Sequence, residues 1–295
     1  MSSFLQATLN GLLQGGLFAL IAVGFSLVWG VVNVINLAHG AFVVLGAYIA
    51  LGLSNALGLD PFVGMFGSAA CLFVLGYAIQ RGLINLVVNA PIFITLLLTF
   101  GLELVLVQGM NIAFTGDFRS IPTSYASRGI GLPGSVQVPL GRLLTFAVAV
   151  VVAILLVAFM NRTRTGLAIM ATGMDRGAAR LMGIKARHVY ALTFGLAAAL
   201  AGGAGAMAGT IGTFHPADAG RFTLFSFVIA VLGGLGNMYG ALAGGLVLGL
   251  AESWAGQYLS GTWANAVAFA VLVLVLATRP SGLLGRAFYE ARQEV

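Results

Sequence analysis

Long apolar blocks alternate with short polar breaks along most of this chain. Nine blocks stand out, at 8–31, 37–56, 62–80, 91–114, 143–160, 188–212, 222–235, 238–257 and 263–278. A helix rises about 1.5 Å per residue, so roughly 20 apolar residues cross the ~30 Å hydrocarbon core of a bilayer. Several blocks meet that length. The pattern predicts an all-α, polytopic transmembrane helical bundle of about 8–9 spans, some broken or re-entrant, forming a single domain over 1–295. Two connections are long. Residues 115–142 carry Pro122, Pro133 and Pro139 among glycines and serines, while residues 161–187 are charged.

Composition points the same way. Only 7% of residues are charged and 60% are hydrophobic, against about 25% charged in a soluble domain, so there is too little charge to solvate a globular surface. Glycine supplies 42 of 295 residues, about twice the ordinary share. In a membrane, small residues let helix backbones approach and make van der Waals contact the adhesive. The net charge of +6 does not indicate nucleic acid, because the basic residues sit between spans and form no stripe. Cys71 lies in an apolar run and reads as a small buried hydrophobe. The first basic residue is Arg81, so no cleavable leader with a charged start is expected.

Lysine and arginine orient the chain. With alternating spans, ten of the 14 fall on one side: Arg81, then Arg162, Arg164, Arg176, Arg180, Lys185 and Arg187, then Arg279, Arg286 and Arg292. The other side holds Arg119, Arg128, Arg142 and Arg221. This bias predicts a cytoplasmic 161–187 loop, a cytoplasmic tail at 279–295 and an external 115–142 loop. A re-entrant hairpin at 222–257 preserves the parity. The N-terminus stays open: outside if 37–56 crosses fully, inside if it is re-entrant.

Two breaks look alike. One is Gly30-Val-Val-Asn33-Val-Ile-Asn36-Leu-Ala-His39-Gly40; the other is Gly233-Gly-Leu-Gly-Asn237-Met-Tyr-Gly240. Glycine with asparagine suits non-helical backbone, tolerated at membrane depth only against protein or a water-filled cavity. Paired broken segments point to a transporter pathway. Asn33, Asn36, His39 and Asn237 are therefore expected to border it. Glu103, inside 91–114, reads as a pathway group or as a helix-to-helix hydrogen-bond partner, since a charge in a span faces a bundle interior or cavity. Glu252 lies near the end of its span and reads as a helix partner. No phosphate loop, H-E-x-x-H, cysteine pair or G-x-S-x-G elbow occurs, and Lys185 is the one lysine, so the residues indicate no ATPase, other catalytic or metal site.

The segment from Thr172 to Gly183 reads as a short helix, with Asp175 in its first turn and Gly183 ending it. Arg176 and Arg180, four apart, share one face. Ala178, Ala179, Leu181 and Met182 supply a small apolar knob. From the residues alone this is either a helix docking in a partner's groove or a basic loop that sets topology.

The run Asn33-Val-Ile-Asn-Leu-Ala-His-Gly-Ala-Phe-Val-Val-Leu-Gly-Ala-Tyr48 resembles the N-terminal signature of branched-chain amino acid permeases of ATP-binding-cassette importers (LivH-like). Thr165-Gly-Leu-Ala, then Asp175 through Gly183-Ile184, is similar to that family's coupling loop, and Thr193–Gly205, Val231–Gly245 and Arg279–Gly285 also match in order. Met170-Ala-Thr-Gly173 departs from the more basic stretch expected there. The resemblance implies a permease subunit paired with a second, related permease. Two cytoplasmic ATPase subunits would carry ATP and magnesium, none bound by this chain, and a periplasmic binding protein would deliver the solute. It implies a bacterial inner-membrane location, and ATPase coupling through Asp175, Arg176, Ala179, Arg180 and Gly183. Externally, His215, Asp218 and Arg221 read either as contacts for the binding protein or as residues of a solvated loop. The implied solutes are branched-chain or aromatic amino acids, amides or urea. The rival reading is a stand-alone secondary transporter or channel with Glu103 and His39 handling ions; a membrane enzyme has no constellation to support it.

Overall fold

The computed structural model describes residues 2–125, 128–132, 136–259 and 263–285. The chain begins with α1 (Ser2–Val32), whose 31 residues carry no charge. It ends where Asn33 turns to a φ of +59°, a left-handed conformation that asparagine tolerates better than most residues. Residues 33–38 run without helix, and α2 (His39–Leu57) then closes on left-handed Gly58. Asp60 caps α3 (Pro61–Ile79) by accepting from Phe62 N–H at 2.9 Å, with Pro61 at the first helical position. The helix continues through a π-turn, Gln80–Ile84, into the single turn α4 (Asn85–Val87). Helices α5 (Ile92–Phe114) and α6 (Leu140–Arg162) start after Pro91 and Pro139, where a missing N–H costs nothing.

Between α5 and α6 lies an antiparallel hairpin, β1 (Gly129–Leu132) with β2 (Val136–Pro139), in the register Ile130 to Val138. The bundle is all-α as expected, with this hairpin a local addition: four-residue strands inside a Pro/Gly-rich loop are too short to show in hydropathy. Two short helices follow, α7 (Arg164–Met174) and α8 (Arg176–Leu181), then α9 (Ala186–Ile211), α10 (Asp218–Gly233), α11 (Met238–Tyr258) and α12 (Ala264–Thr278).

Among the described residues, six helices are long and apolar enough to cross a membrane: α1, α2, α3 with its extension to Val87, α5, α6 and α9. Helices α10 and α11 form a pair bent by 115°, and α12 is a shorter apolar helix. The nine apolar segments of the sequence thus reappear as nine helices. Helix α1 is the central element: 89% of its most apolar window is buried, against 11% for α5 and 22% for α6. It packs along α11, α9, α10 and α6, while α3 and α2 lie on α9.

Glycine governs the α1–α11 contact. A Cβ on Gly249 would sit 2.4 Å from Gly15 Cα, and one on Gly245 the same distance from Ala19 Cα. Backbones this close replace side-chain contact with direct dispersion. Cys71 is exposed on the outer face of α3, not buried as its apolar surroundings suggested; a membrane helix is apolar on both its lipid-facing and protein-facing sides, so hydropathy does not say which way a residue looks.

The bundle has two ends. At one, Gln6 bonds both ways with Gln137 of β2 (2.8 Å each), Tyr125 donates to Asp60, and Ser253 of α11 donates to Ala7 carbonyl (2.6 Å). At the other, the end of α1 meets α7, α8 and the α10–α11 turn, and residues 281–285 pack on that turn. The start of α1 therefore shares the hairpin end, opposite the elbow formed by residues 161–187, which fixes relative to that elbow the side that sequence left open. Arg286 and Arg292 of the expected tail lie outside the described residues.

Candidate functional site

The break between α1 and α2 turns back into the body of the bundle. Its backbone groups have no helix ladder, and two hydroxyls replace one. Thr99 of α5 donates to Ile35 carbonyl (2.8 Å) and accepts from Leu37 N–H (3.3 Å). Thr223 of α10 donates to Leu37 carbonyl (2.8 Å) and accepts from Gly40 N–H (2.9 Å). Buried peptide groups left bare cost about as much as a lost hydrogen bond, so these threonines hold the extended stretch in place. The approach demands glycine: a Cβ on Gly40 would fall 1.9 Å from Ala219 carbonyl oxygen.

Of the expected pathway residues, the structure gathers three here and leaves a fourth nearby. His39 is fully enclosed; its Nε2 lies 2.9 Å from Ile21 carbonyl oxygen, and its ring meets the Phe25 edge at 5.7 Å. A carbonyl only accepts, so Nε2 carries the hydrogen. Asn36 is likewise buried, and its carbonyl accepts from His39 N–H. Asn33 is half-buried at the turn. Glu103 is half-buried one helical turn beyond Thr99, its Oε1 looking toward Gly220 of α10. Asn237 sits elsewhere: its Oδ1 caps α11 through Tyr239 and Gly240 N–H (3.0 and 3.1 Å), and its Nδ2 donates to Leu284 carbonyl (2.6 Å). That side chain is committed to the α10–α11 turn. Neither Thr99 nor Thr223 stands out in the sequence, since α5 also carries Thr95 and α10 also carries Ser226; the available signal was that Thr99 shares a helical face with Glu103 (i, i+4).

The elbow differs from the expected single helix over Thr172–Gly183. The backbone is extended at Asp175, and α8 begins at Arg176. Asp175 is a cap and not a first-turn residue: Oδ1 accepts from Gly177 N–H (2.7 Å) and Ala178 N–H (3.0 Å). At the other end Gly183, φ +82°, donates to Arg180 carbonyl (3.0 Å) while Ile184 N–H reaches Ala179 carbonyl (3.0 Å). That paired closure is a Schellman motif and needs a residue at ease in the left-handed region. Met174, Leu181 and Met182 are 79%, 89% and 82% exposed, so the apolar tip is real. Ala179 faces inward and is buried. The expected shared face of Arg176 and Arg180 does not form. Arg180 is exposed, but Arg176 donates from Nη2 to Val32 carbonyl (2.8 Å), with its guanidinium 5.3 Å over the Tyr190 ring. Val32 ends α1, so its carbonyl has no helical donor and attracts the nearest cation.

At the hairpin end, His215 and Asp218 pair locally, with Nδ1 and the backbone N–H of His215 at 2.7 and 3.0 Å from Asp218 Oδ2. Arg221 leans toward the bundle, reaching Glu252 Oε1 (3.2 Å), whose Oε2 accepts from Gln14 (3.2 Å). Glu252 thus joins α1, α10 and α11 as a helix partner. Burial, then the hydrogen bond and charge of Asp60, push the Tyr125 phenol above its ordinary value. No group of three or more His, Cys, Asp or Glu able to hold a metal occurs among the described residues.

The comparisons with known proteins agree along nearly the whole length. The family described as "Branched-chain amino acid transport system / permease component" matches residues 7–276. The high-affinity branched-chain amino acid transport system permease protein BraD of Pseudomonas aeruginosa is 34% identical over 299 residues, covering 96% of each chain. The corresponding permease protein LivH of Escherichia coli K12 is 32% identical over 296 residues, again 96% of each. A probable branched-chain amino acid transport permease protein LivH of Methanocaldococcus jannaschii is 26% identical over 94% of this chain and 91% of its own. No solved structure matches. A multi-pass helical bundle matched by this family over residues 7–276, and 34% identical to one such permease across nearly its whole length, belongs to the branched-chain amino acid transport system permeases.

Proposed function

We propose that this chain is the membrane-spanning permease subunit of a binding-protein-dependent, ATP-driven importer of branched-chain amino acids or similarly small solutes. The observation that carries the reading is the end-to-end similarity to permeases of such systems. The elbow supports it physically. A helix of six residues does not persist alone in water, yet α8 is capped at both ends and presents Leu181 and Met182 outward, the form of a knob that enters a partner's groove. In this reading the elbow end is cytoplasmic, as the ten-to-four bias of basic residues supports. A second, related permease subunit completes the channel, two ATPase subunits lie below it, and a periplasmic binding protein docks at the hairpin end around His215, Asp218 and Arg221.

The chemistry of transport follows from how little charge the spans contain. A zwitterion or neutral solute needs hydrogen-bonding groups to replace water, and a passage that holds it weakly releases it. Asn33, Asn36, His39 and Glu103 supply such groups at the α1–α2 break, which the two threonines hold in place, and rocking of the spans against a paired subunit would expose them to alternate sides. The test is reconstitution. Proteoliposomes containing this chain, its paired permease and the ATPase subunits should take up solute only with ATP and the binding protein, and a solute panel on the binding protein's thermal stability identifies the cargo. Uptake by this chain alone, driven by an ion gradient without ATP, overturns the proposal.

A further inference from the structure

The residue expected to dock on a partner turns out to face the opposite way. Arg176 occupies the first position of α8, fixed there by the Asp175 cap. From it the guanidinium reaches back to Val32 carbonyl at 2.8 Å and lies over Tyr190 at 5.3 Å. Val32 and Tyr190 are both buried, 0% and 1% exposed. The arginine therefore ties α8 to the last carbonyl of α1 and to the inner face of α9. That carbonyl is the one immediately before the left-handed turn at Asn33. A cation at a helix C-terminus also meets the negative end of the macrodipole, and guanidinium over a ring adds a second, flat attachment.

Beyond this joint the break is gripped from two other sides. Thr99 holds Ile35 and Leu37, and Thr223 holds Leu37 and Gly40. The extended segment is thus held by α5 and α10, and the end of α1 that leads into it is tied to the elbow through Arg176. We infer that Arg176 is a positioning residue that transmits displacement of α8 to the α1–α2 break, so that the broken segment moves when a partner moves the elbow. The exposed tip, Leu181 and Met182, takes the push; Arg176 passes it on. This rests on the reading of α8 as the coupling element, and the experiment separates the two.

Arg176→Lys and Arg176→Gln are made in the full importer and compared in proteoliposomes. Lysine keeps a charged donor for Val32 carbonyl but loses the planar fork, and glutamine loses the charge as well. Two quantities are read: retention of the ATPase subunits on purification, and solute molecules transported per ATP hydrolysed. Both variants are expected to keep their ATPase subunits. Transport per ATP should fall about fivefold or more in Arg176→Gln, in the usual range of coupling between linked sites, with partial recovery in Arg176→Lys. Tyr190→Leu, which removes the ring, should shift the ratio in the same direction. An unchanged ratio in Arg176→Gln overturns the inference. So does loss of the ATPase subunits in that variant, because Arg176 would then belong to the docking surface. If Leu181→Asp with Met182→Asp leaves the subunits bound, the docking of α8 itself fails, a separate result.

Discussion

Asp175→Ala isolates what holds the elbow helix together. The carboxylate accepts two hydrogen bonds, from Gly177 and Ala178 at 2.7 and 3.0 Å, and α8 has only six residues. Isolated helices shorter than about 12 residues are marginal, so the caps decide whether this one stays formed. Exchanging a capping side chain for alanine costs about 1 kcal/mol, within roughly 0.5–2, and about 1 kcal/mol shifts an equilibrium some fivefold. Binding of a partner is a poor readout, because a helix formed most of the time stays mostly formed after a fivefold shift and apparent affinity follows only the formed fraction. Hydrogen exchange is better, since amides exchange through the frayed state. Exchange at 176–183 should accelerate about fivefold in Asp175→Ala. Asp175→Asn and Asp175→Ser keep an acceptor, and at an exposed site the lost charge is worth about 0.3 kcal/mol, so both should stay within about twofold of the parent. If asparagine accelerates exchange as much as alanine, the charge and not the hydrogen bonds holds α8. If alanine changes nothing, the inward Ala179 and the Arg176 tie suffice, and the capping argument is wrong.

Other expectations follow from the same geometry. Thr99→Val and Thr223→Val keep shape but each leave a carbonyl and an N–H of the break without a partner, at about 1–3 kcal/mol per buried group; melting in detergent should fall for both and recover in Thr99→Ser, and an unshifted melting temperature would mean that the hydroxyls are not needed. Leu181→Asp with Met182→Asp alters side chains that are almost wholly exposed, so melting should hold while ATPase subunits are lost on purification; retention of the subunits refutes the knob. Tyr125 has a phenol pKa raised above its ordinary value of about 10 by burial first and Asp60 second. A raised value contributes stability that is complete below the ordinary pKa and disappears as pH climbs through the folded one, so the tie between Tyr125 and Asp60 should loosen only in alkali. Limited proteolysis at 115–125 across pH 8–12, with Tyr125→Phe lacking the alkaline step, checks this; an equal step in both proteins refutes it.

Hydropathy made the helices legible and left their facing illegible. Apolar runs mark nine of the helices, leaving out α4, α7 and α8, because lipid and protein interior select the same residues, and for that reason they do not show that Cys71 faces outward. The abundance of glycine was readable where its meaning is purely steric: Gly245 and Gly249 lie directly against the backbone of α1. The break at Asn33–Ala38 was visible from its composition, yet Thr99 and Thr223 were not, because a single hydroxyl in an apolar span lowers mean hydropathy slightly and its partners lie 62 to 186 residues away. Arg176 and Arg180 illustrate the limit of helical spacing. Four residues apart share a face only when side chains extend radially, and a long arginine at the first turn bends toward an unpaired carbonyl instead.

The two glycine breaks that looked alike in sequence meet in space. A Cβ on Gly30 would lie 2.9 Å from Gly236 Cα, and one on Gly173 would lie 3.0 Å from Gly30 carbonyl oxygen. Three segments distant in sequence, the end of α1, helix α7 of the elbow and the α10–α11 turn, therefore touch backbone to backbone. Side chains between helices can change rotamer and absorb a displacement of an ångström or so, but bare backbones in contact have no such slack. Moving α7 must then move the end of α1 or the α10–α11 turn. The Val32 carbonyl held by Arg176 is two residues past Gly30, so the contact and the charged tie act on one point of the chain. Small residues there cannot be explained by economy of volume alone, because Gly236 also needs its positive φ of +80°. The junction leaves no side-chain slack, and on the proposed reading it is the place where motion of the elbow would reach the broken helix.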